Sequence, residues 1–176
     1  IGIGHTKVLK NEEVKLTDFK VDDKENELNY FRKCLNNVIE DTKKVIEKLS
    51  GTEADIMNAY LMILQDPTLT KETERLIQEE GYNAGYAAKV GFETVEEVFK
   101  NMDDEYMSAR ASDIEDMKQR VVNKIINKAE IDLSNLPENT VLVGKDLSTS
   151  DTAKLNLKTI AGIIIENGSE NSHVSI

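Results

Sequence analysis

His173 is the residue of this chain with the clearest capacity for covalent chemistry. It stands in Ser172-His-Val-Ser-Ile176, after an aliphatic run, Ile160 to Ile165, and a polar Asn167-Gly168 turn. The five residues from Ser172 read as the first turn of a helix, so the imidazole falls where the carboxyl end of a strand meets the amino end of a helix. Free backbone N–H groups and the positive end of the helix dipole favour an anion there. Imidazole is largely neutral near pH 7 and is a competent nucleophile for phosphorus. A single histidine in a polar loop is equally at home as a surface side chain, and the spacing alone leaves both readings open. His5, at the polar end of the opening segment Ile1-Gly-Ile-Gly-His-Thr-Lys-Val-Leu9, reads as structural or exposed. The two glycines of that segment lie too close together for a dinucleotide loop.

Two elements near the middle carry further candidates. Asp66-Pro67 stops one helix and starts the next, with Asp as N-cap and Pro in the first turn. Met62 and Ile63, just before that corner, fit the inward face less well than Leu61 and Leu64. They mark either a protein-docking patch or the core of a neighbouring packing surface. Arg110 lies one position off an apolar stripe, where spacing alone favours a solvated pair with Asp113.

The elements that must position these groups are legible from periodicity. Leu28, Phe31, Leu35, Val38, Thr42, Val45 and Leu49 recur at steps of three and four, one narrow stripe on a long helix, with Cys34 packing beside it. Ser50-Gly-Thr-Glu53 reads as a capping box for a second helix whose face carries Ile56, Met57, Tyr60, Leu61 and Leu64. Leu69, Leu76 and Ile77 continue the pattern to Gly81. A third helical stretch carries Tyr86, Val90, Val95, Val98 and Phe99. A fourth carries Met107, Ala111, Ile114, Met117, Val121 and Ile125. Beyond about residue 130 the pattern becomes turn, strand (Val141 to Val143), capped helix (Ser148 to Asp151) and strand (Ile160 to Ile165), which is an α/β order. The reading is thus an α/β unit from residues 1–19 and 131–176, holding about three strands, with a four-helix insertion over 20–130. The absence of an initial Met and the stop in mid-pattern suggest a piece of a longer protein, with further strands expected beyond Ile176.

The chain has 176 residues and a formal charge of -11, with 22 basic and 33 acidic side chains. That sign disfavours phosphate-backbone binding and suits solubility or a basic protein partner. One cysteine forms no internal disulfide and fits a reducing compartment, and two histidines make no usual transition-metal site. No apolar run approaches a membrane span.

Several stretches, in order, resemble one family: Ala59-Tyr-Leu-Met-Ile-Leu-Gln-Asp-Pro-Thr-Leu69, Met102-Asp-Asp-Glu-Tyr106, Ala109-Arg-Ala-Ser-Asp-Ile114, Asp146-Leu-Ser-Thr-Ser-Asp-Thr-Ala-Lys-Leu-Asn-Leu157 and Ser172-His-Val-Ser-Ile176. Together they are similar to the amino-terminal half of Enzyme I of the bacterial sugar phosphotransferase system. The resemblance implies a phosphohistidine (swivelling) α/β subdomain, incomplete here, with an inserted all-α subdomain. It implies a cytoplasmic enzyme in which phosphoenolpyruvate, bound by a separate carboxy-terminal barrel, phosphorylates the active histidine. That histidine then passes the phosphoryl group to a histidine-containing phosphocarrier protein. Carried onto this sequence, the phosphohistidine is His173 and the threonine orienting its imidazole is Thr152. The docking surface falls on Met62, Ile63, Asp66, Leu69 and Arg110, and Tyr60 stands where many members place a docking-face histidine. No cofactor is expected in this stretch, and magnesium is expected with the full-length enzyme. The loop departs from the family pattern: Gly168-Ser-Glu-Asn-Ser-His173 replaces a second glycine by Ser169 and adds the charge of Glu170. A phosphocarrier-binding module with a catalytically silent histidine is therefore the alternative reading.

Overall fold

The computed structural model describes residues 4–9, 15–129 and 131–167. Its order is β1 (His5–Leu9), α1 (Lys24–Ile46), α2 (Thr52–Leu64), α3 (Pro67–Gln78), α4 (Ala84–Lys100), α5 (Glu105–Ala109), α6 (Ala111–Ile125), β2 (Thr140–Gly144), α7 (Thr149–Lys154) and β3 (Ile160–Ile165). Contacts divide the chain into two compact units, with borders at Lys15 and at Glu130. The sequence reading set the first border five residues later. The segment before α1 is tied to the helices: Lys20 bridges Tyr82, and the Asn83 side chain donates to the Thr17 carbonyl at 2.8 Å.

The smaller unit is a parallel sheet in the order β1-β2-β3. Parallel neighbours cannot be joined by a hairpin, and the β2–β3 connection carries α7. Leu142 is wholly buried in β2 and packs with Leu133, Leu136, Leu9, Leu155, Ile160 and Ile163 on one face. The opposite pleat aligns Val8, Val143 and Ile164 across the three strands. Val8 is 50% exposed and Ile164 60%. His5 is exposed.

The helical unit has six segments among the described residues, where periodicity suggested four. The corner at Asp66-Pro67 separates α2 from α3, and the chain bends again at Arg110 between α5 and α6. The α1 stripe buries Leu28, Phe31, Val38 and Thr42, with Cys34 beside them, while Leu35 and Val45 are half-buried. The helix stops at Ile46, one turn before Leu49. The expected capping box does not form: Gly51 is the N-cap of α2, at φ 61, and no side chain caps the helix. A backbone in that left-handed region favours glycine over Ser50.

The inward face of α4 also differs from expectation. Ala84, Ala87, Ala88, Gly91 and Phe92 are buried, while Val98 is 55% exposed and Tyr86 and Val90 are half-buried. Small residues let two helix backbones come close, and α3 crosses α4 here. A Cβ on Gly91 would lie 2.2 Å from Thr73 Oγ1 and 2.7 Å from its backbone nitrogen. Helices α3 and α6 follow their stripes closely, burying Leu69, Leu76 and Ile77 in the first and Ala111, Ile114, Met117, Val121 and Ile125 in the second.

Candidate functional site

Each unit holds part of the expected site. In the α/β unit the strands run parallel, so Leu9, Gly144 and Ile165 end at the same edge. Open α/β sheets place their chemistry at the carboxyl ends of strands, where connections diverge. From the β2 end the chain turns into α7, whose N-cap Ser148 accepts a hydrogen bond from the Asp151 N–H at 3.2 Å. Thr152 is half-buried in α7, and its hydroxyl donates to the Ser148 carbonyl at 2.9 Å. A hydroxyl whose proton is committed in this way still offers lone pairs as acceptors. From the β3 end the chain stays at this edge: the N–H groups of Glu166 and Asn167 donate to the carbonyls of Gly144 (3.1 Å) and Lys145 (2.7 Å). The β3 exit and the β2–α7 connection are thus hydrogen-bonded neighbours. His173, with the loop Gly168-Ser169-Glu170-Asn171, lies outside the described residues.

In the helical unit, Met62, Ile63, Asp66 and Leu69 gather at the α2–α3 corner. Met62 is 74% exposed and Ile63 half-buried. Asp66 is the exposed N-cap of α3, its Oδ1 accepting from the Thr68 hydroxyl (2.6 Å) and the Thr68 N–H (2.8 Å). Those two hydrogen bonds hold the carboxyl below its ordinary range. Leu69 follows its apolar stripe rather than the docking surface implied by the resemblance. At 2% exposure it is core, because the first turn of α3 after Pro67 directs it inward. Tyr60 does the same: it is wholly buried, as its place on the apolar face of α2 suggests, rather than on a docking face. Arg110 enters from the α5–α6 junction, its side chain 14% exposed and its guanidinium donating to the buried carboxylate of Asp113 at 2.9 Å. The pairing suggested by spacing is present, but sheltered rather than solvated.

Two charged clusters escaped the sequence reading. Arg120 of α6 is 6% exposed and donates through one guanidinium nitrogen to Thr42 Oγ1 (2.9 Å) and the Tyr60 hydroxyl (3.3 Å). Its signal was available: Thr42 is a polar member of an apolar stripe, and a polar group in a seam needs a partner. Between α4 and α6, Lys118 pairs with Glu93 (3.3 Å), Glu96 (3.4 Å) and Glu115, and Lys100 pairs with Glu96. Burial pushes the Glu115 carboxyl up. For Glu96, burial acts the same way, but hydrogen bonds from Lys100 and Glu115 and the Lys118 charge outweigh it and leave it low.

Comparison with known proteins points one way. Residues 1–110 match the family described as PEP-utilising enzyme, N-terminal, and residues 136–176 match PEP-utilising enzyme, mobile domain. The phosphoenolpyruvate-protein phosphotransferase of Haemophilus influenzae is 33% identical over 100% of this chain, and that of Bacillus subtilis 32% over 99%. The chain spans 32% of each, about a third of the length of the curated relatives it matches. An NMR solution structure of Enzyme I (nEIt) superposes with a TM-score of 0.83 at 29% identity, covering 99% of this chain and 73% of that one. The N-terminal domain of Enzyme 1 - Nitrogen gives 0.71 at 20% identity, covering 97% and 72%, and shows the fold alone.

Proposed function

The chain belongs to the phosphoenolpyruvate-utilising enzymes, matching their N-terminal domain and the start of their mobile domain, and from that membership we propose that it is the histidine-bearing part of a cytoplasmic phosphoenolpyruvate-protein phosphotransferase. In this reading an imidazole nitrogen of His173 attacks the phosphorus of phosphoenolpyruvate. The bond from phosphorus to the enol oxygen breaks, enolpyruvate leaves and is protonated to pyruvate, and a phosphoramidate remains on His173. An imidazole nitrogen of a histidine-containing phosphocarrier then attacks the same phosphorus, and the first phosphorus–nitrogen bond breaks. Phosphoryl transfer of this kind needs in-line positioning and charge stabilisation more than covalent help from the protein.

The observation that carries the reading is the shared edge of the sheet. His173 is six residue steps beyond Asn167, a span of at most about 20 Å. That reach is long enough for the chain to bring the imidazole, in this reading, beside the connection into α7. Thr152 then serves as a positioning residue: its hydroxyl proton is held by Ser148, so its oxygen accepts the N–H of one imidazole nitrogen and leaves the other as nucleophile. On the helical unit, exposed Met62, with Ile63 and Asp66 beside it, forms the apolar and acidic part of the carrier-docking surface. Leu69 supports it from below, and Arg110 contributes from the α5–α6 junction. An acidic chain of net charge -11 suits a basic carrier.

Among the described residues no group of three or more His, Cys, Asp or Glu side chains is gathered to hold a metal ion. In this reading magnesium acts with the phosphoenolpyruvate-binding part of the enzyme. No helix among the described residues is long and apolar enough to cross a membrane.

The test is incubation of the full-length protein with magnesium and labelled phosphoenolpyruvate. Acid-labile phosphate should appear on the protein and vanish in His173→Ala. An intact protein that takes no label would favour a carrier-binding module whose histidine is silent.

A further inference from the structure

Three buried polar residues from three helices meet inside the helical unit: Thr42 of α1 (0% exposed), Tyr60 of α2 (0%) and Arg120 of α6 (6%). Burying a guanidinium is costly unless it is hydrogen-bonded, so a site of this kind needs a return. Arg120 divides one nitrogen between Thr42 Oγ1 at 2.9 Å and the Tyr60 hydroxyl at 3.3 Å, and its guanidinium carbon lies 5.8 Å from the Tyr60 ring centroid. Asp116, one turn before Arg120 on α6, hydrogen-bonds the same phenol. Burial and the Asp116 charge hold that phenol well above its ordinary value, so it stays protonated. The hydroxyl therefore accepts from Arg120 while donating to Asp116.

The pairing matters because of where α2 sits. This helix packs chiefly on α1, with Met57, Tyr60 and Leu64 as its buried residues. Met62 follows Tyr60 by two positions, about 200° around the helix, and is 74% exposed. A roll or tilt of α2 that moves Tyr60 inside must therefore move Met62 outside. We propose that Arg120 and Tyr60 are positioning residues for the carrier-docking surface: the buried hydrogen bond from α6 to α2 sets the rotation of α2 that presents Met62 and Ile63. This deepens the docking reading and rests on it.

The experiment is a double-mutant cycle read as affinity for a purified histidine-containing phosphocarrier from Bacillus subtilis, by calorimetry with the full-length protein well below its unfolding temperature. Tyr60→Phe keeps the ring and removes the hydroxyl, and Met62→Ala removes the presented side chain. Met62→Ala should weaken binding roughly tenfold and Tyr60→Phe roughly fivefold. The double variant should be no weaker than about tenfold, because Tyr60 acts through the residue already removed. A loss of general stability would not produce that non-additivity. Arg120→Lys provides the same test from the other end and covers the case in which Tyr60→Phe folds poorly. If Met62→Ala binds as wild type, the docking reading itself falls, and this inference with it. If Met62→Ala weakens binding but Tyr60→Phe and Arg120→Lys bind normally, or their effects add in full, docking stands and the positioning role is overturned.

Discussion

Thr152 and Arg110 are the residues at which the proposed chemistry and the packing can be separated. Thr152→Val preserves shape and removes the oxygen offered to the imidazole, and it should slow phosphorylation of His173 roughly tenfold, about 1.4 kcal/mol. Thr152→Ser, which keeps that oxygen, should restore most of the rate. Equal loss in both variants, measured by quenched label incorporation, would remove Thr152 from the site. Arg110 needs a different argument, because its guanidinium lies against a carboxylate that is only 1% exposed. Reversal to Glu would set two carboxylates together and lower stability whether or not a carrier docks there. Arg110→Met should cost about 2 kcal/mol in urea unfolding, so its effect on carrier affinity has to be read beside that loss. Met62→Ala, on a side chain 74% exposed, should leave the unfolding midpoint unchanged. At this scale the sequence was legible where the side chain answers to its own helix. The Arg110–Asp113 pair and the Asp66 cap both follow from local spacing. The burial of Leu69 and Tyr60 also follows from their helical stripes, but the sequence was not legible where a neighbouring helix decides, as at Arg120, a charged residue buried against α1 and α2.

At the scale of elements, the α3–α4 crossing is the tightest contact to test. Gly91→Ala would drive a Cβ into Thr73 backbone, and the helices must separate to admit it. The expected cost is about 2–3 kcal/mol in denaturant unfolding; a change under about 0.5 kcal/mol would show that α3 yields freely. The turn entering the β2 side of the sheet offers a pH signature. Asp132 accepts from the Ser134 hydroxyl (2.6 Å), the Ser134 N–H (3.0 Å) and the Asn135 side chain (2.8 Å), which lowers its pKa from 3.8 to about 2. A depressed carboxylate contributes stability that is fully present above 3.8 and is lost as pH falls towards 2. A carboxyl-carbon NMR titration should place its midpoint near 2, and a midpoint near 3.8 would mean the turn is not held. Helices α1 and α6 were readable as elements because their stripes are long and regular. The face of α4 was not, since alanine and glycine give little apolar signal although they permit the closest approach.

The whole molecule comprises an α/β unit and a helical unit, and the two faces of the sheet are in different states. Leu142→Ala, on the covered face at 0% exposure, should destabilise the α/β unit by about 3 kcal/mol. Ile164→Ala, on the bare row at 60% exposure, should cost less than about 1 kcal/mol. Comparable losses, by unfolding of either variant, would show that the bare row is covered in solution. The amino-acid sequence by itself determined the order of strands and helices and the corner at Pro67, because each depends on periodicity, caps and turn residues a few positions apart. Only the tertiary structure decided which candidates face solvent, that small residues carry the α3–α4 contact, and that Thr42, Tyr60 and Arg120 meet. Those outcomes depend on groups distant in the chain excluding water from one another, and no local pattern records which partner arrives.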